Sequence, residues 1–122
     1  MIPGKVTLTV ARGATMDIAI TAKDSLQQDI DFDVDYDSYR LIVKPVWAQH
    51  PDSTIRPTLL ELTTANGGIT TATTTLTLTD SAANTLLYNF SNAWYELELI
   101  TNGSPDVIDK LLEGEFKVTG NI

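Results

Sequence analysis

The residues able to do chemistry are concentrated in Asp29-Ile30-Asp31-Phe32-Asp33-Val34-Asp35-Tyr36-Asp37, where carboxylates alternate with apolar side chains. Drawn out as a strand, the segment sets its carboxylates on one face about 6.6 Å apart. Each neighbouring pair then repels by about 0.6 kcal/mol in water, and salt screens that further. A solvated acidic edge is tolerable at that cost, and it discourages unwanted strand pairing. Calcium is the sharper alternative, because a hard cation takes several carboxylate oxygens. One extended face does not wrap an ion, however, and the EF-hand spacing fails. Counted from Asp31, Tyr36 stands where glycine is needed and Ile42 where glutamate is needed. The segment is read as solvated or partner-facing, with Asp31, Asp33 and Asp35 as candidate partner contacts and no metal.

The other ionisable residues do not form a reactive set. His50 is the only histidine and sits in AQHPDSTIRP, beside Pro51 in a loop. Asp52 and Ser53 are near it in sequence, but there is neither a GxSxG elbow nor an HExxH pair. Glu96/Glu98 and Glu113/Glu115 alternate with core-type residues, as the outer face of a sheet requires. Glycosidase carboxylates instead face each other across a cleft. The expectation is a non-enzymatic protein with no catalytic residue and no cofactor. Trp94 shares its strand parity with Glu96 and Glu98, and tryptophan is enriched at binding hot spots. It is either an exposed contact or covered by the Asp80–Phe90 segment. Trp47, beyond Pro45 at a strand end, and the loop residue His50 complete the candidate contacts.

These residues must be positioned by strands. Period-two apolarity predicts seven: Lys5–Ala11, Thr15–Ala22, Tyr39–Trp47, Thr58–Thr63, Ile69–Thr79, Ala93–Thr101 and Ile108–Thr119. Val6, Leu8 and Val10 are expected on one face of the first, and Met16, Ile18 and Ile20 on one face of the second. Pro45 has no N–H for a ladder, so the third strand ends, bulges or lies at an edge there. Asn66-Gly67-Gly68 reads as a hairpin turn between the fourth and fifth strands, and Asn102-Gly103 as the turn between the last two. Asp80 suits the N-cap of a short helical segment over Ser81–Tyr88. ITTATTTLTLT reads as one strand with a hydroxyl-lined outer face, fit for an exposed sheet or a docked subunit.

Composition narrows the class. A chain of 122 residues fits one domain, residues 1–122. Sixteen acidic residues against eight basic ones give a formal charge of -8, and the basic residues are scattered. Nucleic-acid binding needs a stripe of Lys and Arg, so that function is excluded. Cysteine is absent, which excludes disulfides and thiolate metal sites. No apolar run is long enough for a membrane helix, and MIPGKVTLTVARG lacks a signal-peptide core. No membrane insertion and no cleavable leader are expected.

Several segments together resemble a known group. They are Arg12-Gly13-Ala14-Thr15 leading into Met16–Thr21, Asp24-Ser25 and Ile30-Asp31, and Tyr39 before Arg40–Lys44. Leu76-Thr77-Leu78-Thr79 with the turn Asp80–Leu86 follows, then Trp94-Tyr95-Glu96-Leu97-Glu98-Leu99, and finally Leu111–Val118, LLEGEFKV. This combination resembles small immunoglobulin-like β-sandwich proteins of tailed-bacteriophage and prophage tail and baseplate gene clusters, similar to the N-terminal domain of baseplate upper proteins. The acidic segment and the loop Ala48–Pro57 depart from that pattern. The resemblance implies an all-β, immunoglobulin-like sandwich of about seven antiparallel strands with one short helical segment. It further implies a structural virion protein made in the bacterial host cytoplasm. Its partners would be other virion proteins (tail, baseplate or fibre subunits) in a multi-copy assembly. The alternatives are a carbohydrate or host-surface binding module and a capsid decoration or head-tail connector protein.

Overall fold

The computed structural model describes residues 4–23, 26–45 and 58–120. Almost every alternating run forms a strand, and the chain is mostly β in two sheets. In chain order the strands are β1 (Gly4–Lys5), β2 (Leu8–Ala11), β3 (Met16–Ile20), β4 (Ser38–Lys44), β5 (Leu60–Thr63), β6 (Ile69–Ala72) and β7 (Thr75–Asp80). A short helix, α1 (Ala82–Leu86), precedes β8 (Asn92–Thr101) and β9 (Val107–Thr119). The larger sheet runs β1-β9-β8-β4-β5, with β2 also on β9, and the smaller runs β3-β7-β6. Pairing is antiparallel except that β1 and β2 lie parallel to β9.

The inward residues of both sheets meet in one core. Tyr39, Leu41 and Val43 of β4 join Tyr95, Leu97 and Leu99 of β8, Phe116 and Val118 of β9, and Ile69, Leu76 and Leu78 of the smaller sheet. Leu41, Val43, Leu76, Leu78, Tyr95, Leu97, Leu99 and Phe116 lose all contact with solvent. Burying a leucine of this kind is worth about 1.5–3 kcal/mol. β4 ends at Lys44, directly before Pro45, as the missing N–H requires.

Five local expectations are corrected. Asn66-Gly67-Gly68 does not close a hairpin. β5 pairs with β4 in the larger sheet and β6 with β7 in the smaller, so this turn carries the chain between sheets. The run Ile69–Thr79 is itself a hairpin: Ala72 pairs with Thr75 around Thr73-Thr74, and Thr73 takes a positive φ of 33°. Folding back lets Ile69 lie opposite Leu78, so both enter the core. The first strand breaks at Val6-Thr7, where Val6 is exposed while its carbonyl accepts from the buried Tyr95 hydroxyl at 2.7 Å. The N-cap of α1 is Ser81, whose side chain accepts from the Asn84 N–H. Asp80 sits one residue earlier and accepts from the Ser81 N–H and the Asn84 side-chain amide. Finally, β8 and β9 are joined by the longer loop 102–106, within which Gly103 N–H donates to Asp106.

β9 carries one bulge. Leu97 pairs with Leu112 but Glu98 with Lys110, which leaves Leu111 unmatched. The extra residue keeps Leu111 in the core while Lys110 points to the outer face beside Glu98.

Candidate functional site

The acidic segment is not extended, so its carboxylates do not share a face. Ile30 and Phe32 are buried in the core, and beyond Phe32 the chain coils through turn hydrogen bonds from the Val34 and Asp35 N–H groups to the Asp31 carbonyl. Asp31 accepts from the Asp33 N–H at 2.9 Å, Asp35 accepts from the Asp31 N–H at 2.9 Å, and the Asp35 N–H donates to the Asp31 carbonyl. Asp33 reaches the β6–β7 hairpin, accepting from the Thr71 hydroxyl at 2.6 Å and the Thr73 N–H at 2.8 Å. Those two bonds hold its carboxyl below the usual aspartate pKa. Asp37 accepts from the Asn102 N–H at 2.6 Å. The segment therefore ties three loops together at one end of the molecule and leaves Val34 exposed at its tip. Among the described residues, no three His, Asp or Glu side chains lie where one metal ion would join them.

Trp94 is half-buried on the outer face of β8, between Lys44 of β4 and Glu115 of β9. The segment before it stacks on the opposite, inner face, where Tyr88 lies on Phe90 and Phe90 on Phe116. Trp47 and His50 lie outside the described residues. The outer face of β8 is less wet than its alternation implies. Glu96 accepts from Lys44 at 2.7 Å and pairs with Lys110 at 3.0 Å, and Arg40 donates to Glu98 at 3.0 Å. Burial alone raises the Glu96 carboxyl, but the bonds and charges of Lys44 and Lys110 outweigh it and hold its pKa below the ordinary value.

The opposite end of the molecule is braced by Arg12 and Thr85. Arg12 donates to the carbonyls of Tyr88, Phe90 and Gly120, which fixes the chain on either side of β8 and β9. Thr85 of α1 is fully buried; its hydroxyl accepts from the Gly13 N–H at 3.1 Å and donates to the Ala14 carbonyl at 2.7 Å. The Arg12–Thr15 turn and α1 are thereby one unit. Leu86 and Leu87 at the end of that unit are exposed.

Beside α1 an open groove of roughly 670 Å³ separates β5 and the crossover turn from the end of β7. Glu61, Asn66, Asp80 and Asn84 supply its polar lining, and Leu60 and Leu87 its apolar walls. Asp80 is held in place by three donors: the Ser81 N–H, the Asn84 amide and the Tyr88 hydroxyl. Desolvation and that carboxylate push the Tyr88 phenol far above its ordinary pKa. Sequence reading expected Asp80 as the helix cap and Asn66-Gly67-Gly68 as a hairpin turn, and did not foresee that the cap residue Ser81 and the crossover turn line one groove. In comparison with known proteins, no family model matches the chain and no curated protein matches it.

Proposed function

We propose that this chain is a non-enzymatic structural subunit of a tailed-bacteriophage virion, an adaptor or decoration protein of the tail, baseplate or fibre-attachment region. It works by surface complementarity with neighbouring virion proteins. In this reading the two sheets form an immunoglobulin-like sandwich. That assignment draws on the parallel pairing of the first strand with the last and on the short helix between β7 and β8. Four of the segments that carry the family resemblance associate in two pairs. The Arg12–Thr15 turn is bonded to α1 through Thr85, and YELEL pairs with LLEGEFKV as β8 and β9.

The observation that carries the functional reading is the bracing of both ends of the molecule. Asp33 and Asp37 lock one end, and Arg12 and Thr85 lock the other, while Val34 on the acidic loop and Leu86 and Leu87 at the end of α1 stand exposed. A preorganised rim with exposed apolar side chains binds a partner without a large ordering cost. The test is sedimentation of the purified chain, alone and mixed with the products of its neighbouring genes. Co-migration in a stoichiometric complex is the expected result. A chain that sediments alone in every mixture would refute the reading.

A further inference from the structure

We propose that Asn102 is a site of self-modification: the Gly103 nitrogen attacks its side-chain amide, Asp106 takes the proton, and water completes the conversion to aspartate and isoaspartate. The sequence offers two Asn-Gly pairs, Asn66-Gly67 and Asn102-Gly103. Glycine has no Cβ to shield its nitrogen, so by sequence both pairs are open to this chemistry. The fold separates them.

Asn66 is locked. Its oxygen accepts from the Thr63 and Gly68 N–H groups, each at 2.9 Å, and its nitrogen donates to the Glu61 carbonyl at 3.0 Å. Ring closure would turn that amide and expel its nitrogen, so those bonds must break first, and polar groups left unpaired are costly. Gly68 is buried against Leu62, which restrains the turn further.

Asn102 is free to react. Among the described residues its side-chain amide has no hydrogen-bond partner. Every residue from Thr101 to Ile108 is exposed, so water reaches the amide. The Asn102 backbone is held on one side, where its N–H donates to Asp37 at 2.6 Å. On the other side the Gly103 N–H donates to Asp106 at 2.9 Å. The Asp106 carboxylate thus already holds the proton that the attack must remove, the placement a general base needs. Attack within one chain requires only a rotation of the Asn102 side chain, not a collision.

Water is the only other reactant. The Gly103 nitrogen bonds to Cγ of Asn102 and passes its proton to Asp106. The Cγ–Nδ2 bond then breaks, and that proton leaves with the nitrogen as ammonia. Water opens the cyclic imide in one of two ways. Attack at Cγ restores the ordinary main chain, with aspartate at position 102. Attack at the main-chain carbonyl carbon leaves the chain running through Cγ, as isoaspartate. Either product adds a negative charge close to Asp37 and Asp106, and like charges repel. The tie between the acidic segment and the β8–β9 loop therefore loosens as the chain ages. What this does to a neighbouring subunit rests on the adaptor reading, whereas the chemistry does not.

The test is to incubate the intact chain for weeks in mildly alkaline buffer, beside a urea-unfolded sample, and to map both by proteolysis and mass spectrometry. In the folded chain Asn102 should convert roughly tenfold to a hundredfold faster than Asn66, because the bonds to the Asn66 amide must break first. Unfolded, the two should convert at similar rates. The aged folded chain should be retained longer on an anion exchanger, and Asn102→Gln should abolish that change. Asp106→Asn should slow conversion severalfold, while Asp106→Glu, which keeps a carboxylate, should retain it. Equal rates at the two asparagines in the folded chain, or no acid at position 102, overturn the proposal. Undiminished conversion in Asp106→Asn overturns the role given to Asp106.

Discussion

The Nζ of Lys44 lies 2.7 Å from Oε1 of Glu96 on the outer face of the larger sheet, with only 7% and 14% of the two side chains exposed. Lys110 approaches the second oxygen of Glu96 at 3.0 Å, so one carboxylate is shared by two ammonium groups from the strands on either side. This triad joins β4, β8 and β9 on the face away from the core. Removing one member leaves a partly desolvated charge without its partner, which costs more than the pair contributes.

Acid should therefore weaken the fold through Glu96. Its pKa is lower folded than the ordinary 4.5. Its contribution is present above that value and is lost as the pH falls through the depressed folded value. Urea midpoints measured from pH 6 downward should fall below pH 4.5, and less steeply in Glu96→Gln. Equal slopes for the two proteins would mean that the triad is not coupled to folding.

Alkali should act through the buried phenols. Burial pushes Tyr39 and Tyr95 up to about 12, helped by Asp35 and Asp33 at Tyr39 and by Glu113 at Tyr95. The stability this represents is intact below the unfolded value near 10 and is lost as the pH rises through 12. Absorbance at the phenolate band should show incomplete ionisation of the four tyrosines at a pH where the urea-unfolded chain is fully ionised.

Thr85→Val keeps the shape of the buried side chain but leaves the Gly13 N–H and the Ala14 carbonyl without their partner. A loss of about 1–3 kcal/mol is expected. Protection of the Gly13 amide against hydrogen exchange should fall with it, because Thr85 is the acceptor for that N–H.

Gly114→Ala would place a carbon 2.3 Å from the Val6 carbonyl oxygen. The backbone of the first strand must shift, so a cost of about 1–3 kcal/mol is expected. Proteolysis should then begin near Val6, where the chain passes between β1 and β2. Cleavage unchanged from wild type would show that the strand yields without leaving β9.

Leu97→Ala should cost about 2–5 kcal/mol in chemical denaturation, since Leu97 is wholly buried in the central strand of the larger sheet. A loss close to zero would mean that the face assignment of β8 is inverted.

The sequence by itself determined where strands form and which of their faces is apolar. Leu76 and Leu78, Tyr95, Leu97 and Leu99, and Phe116 with Val118 are buried as their alternation requires, and Pro45 follows the last residue of β4. These are local properties, set by side-chain parity and by a missing N–H. Tertiary structure alone decided which strands pair and what the acidic segment does. Asn66-Gly67-Gly68 has the composition of a hairpin turn, yet Ile69 lies opposite Leu78 in the smaller sheet, and β6 does not pair with β5. The alternation of Asp29–Asp37 is that of a strand, yet the segment coils after Phe32, closed by bonds to the Asp31 carbonyl, and Asp33 and Asp37 bond to loops far along the chain. The groove between β5 and α1 depends on that crossover, which sets β5 beside the end of β7. Strand parity is decided within a few residues, whereas pairing and grooves depend on which distant surfaces exclude water together.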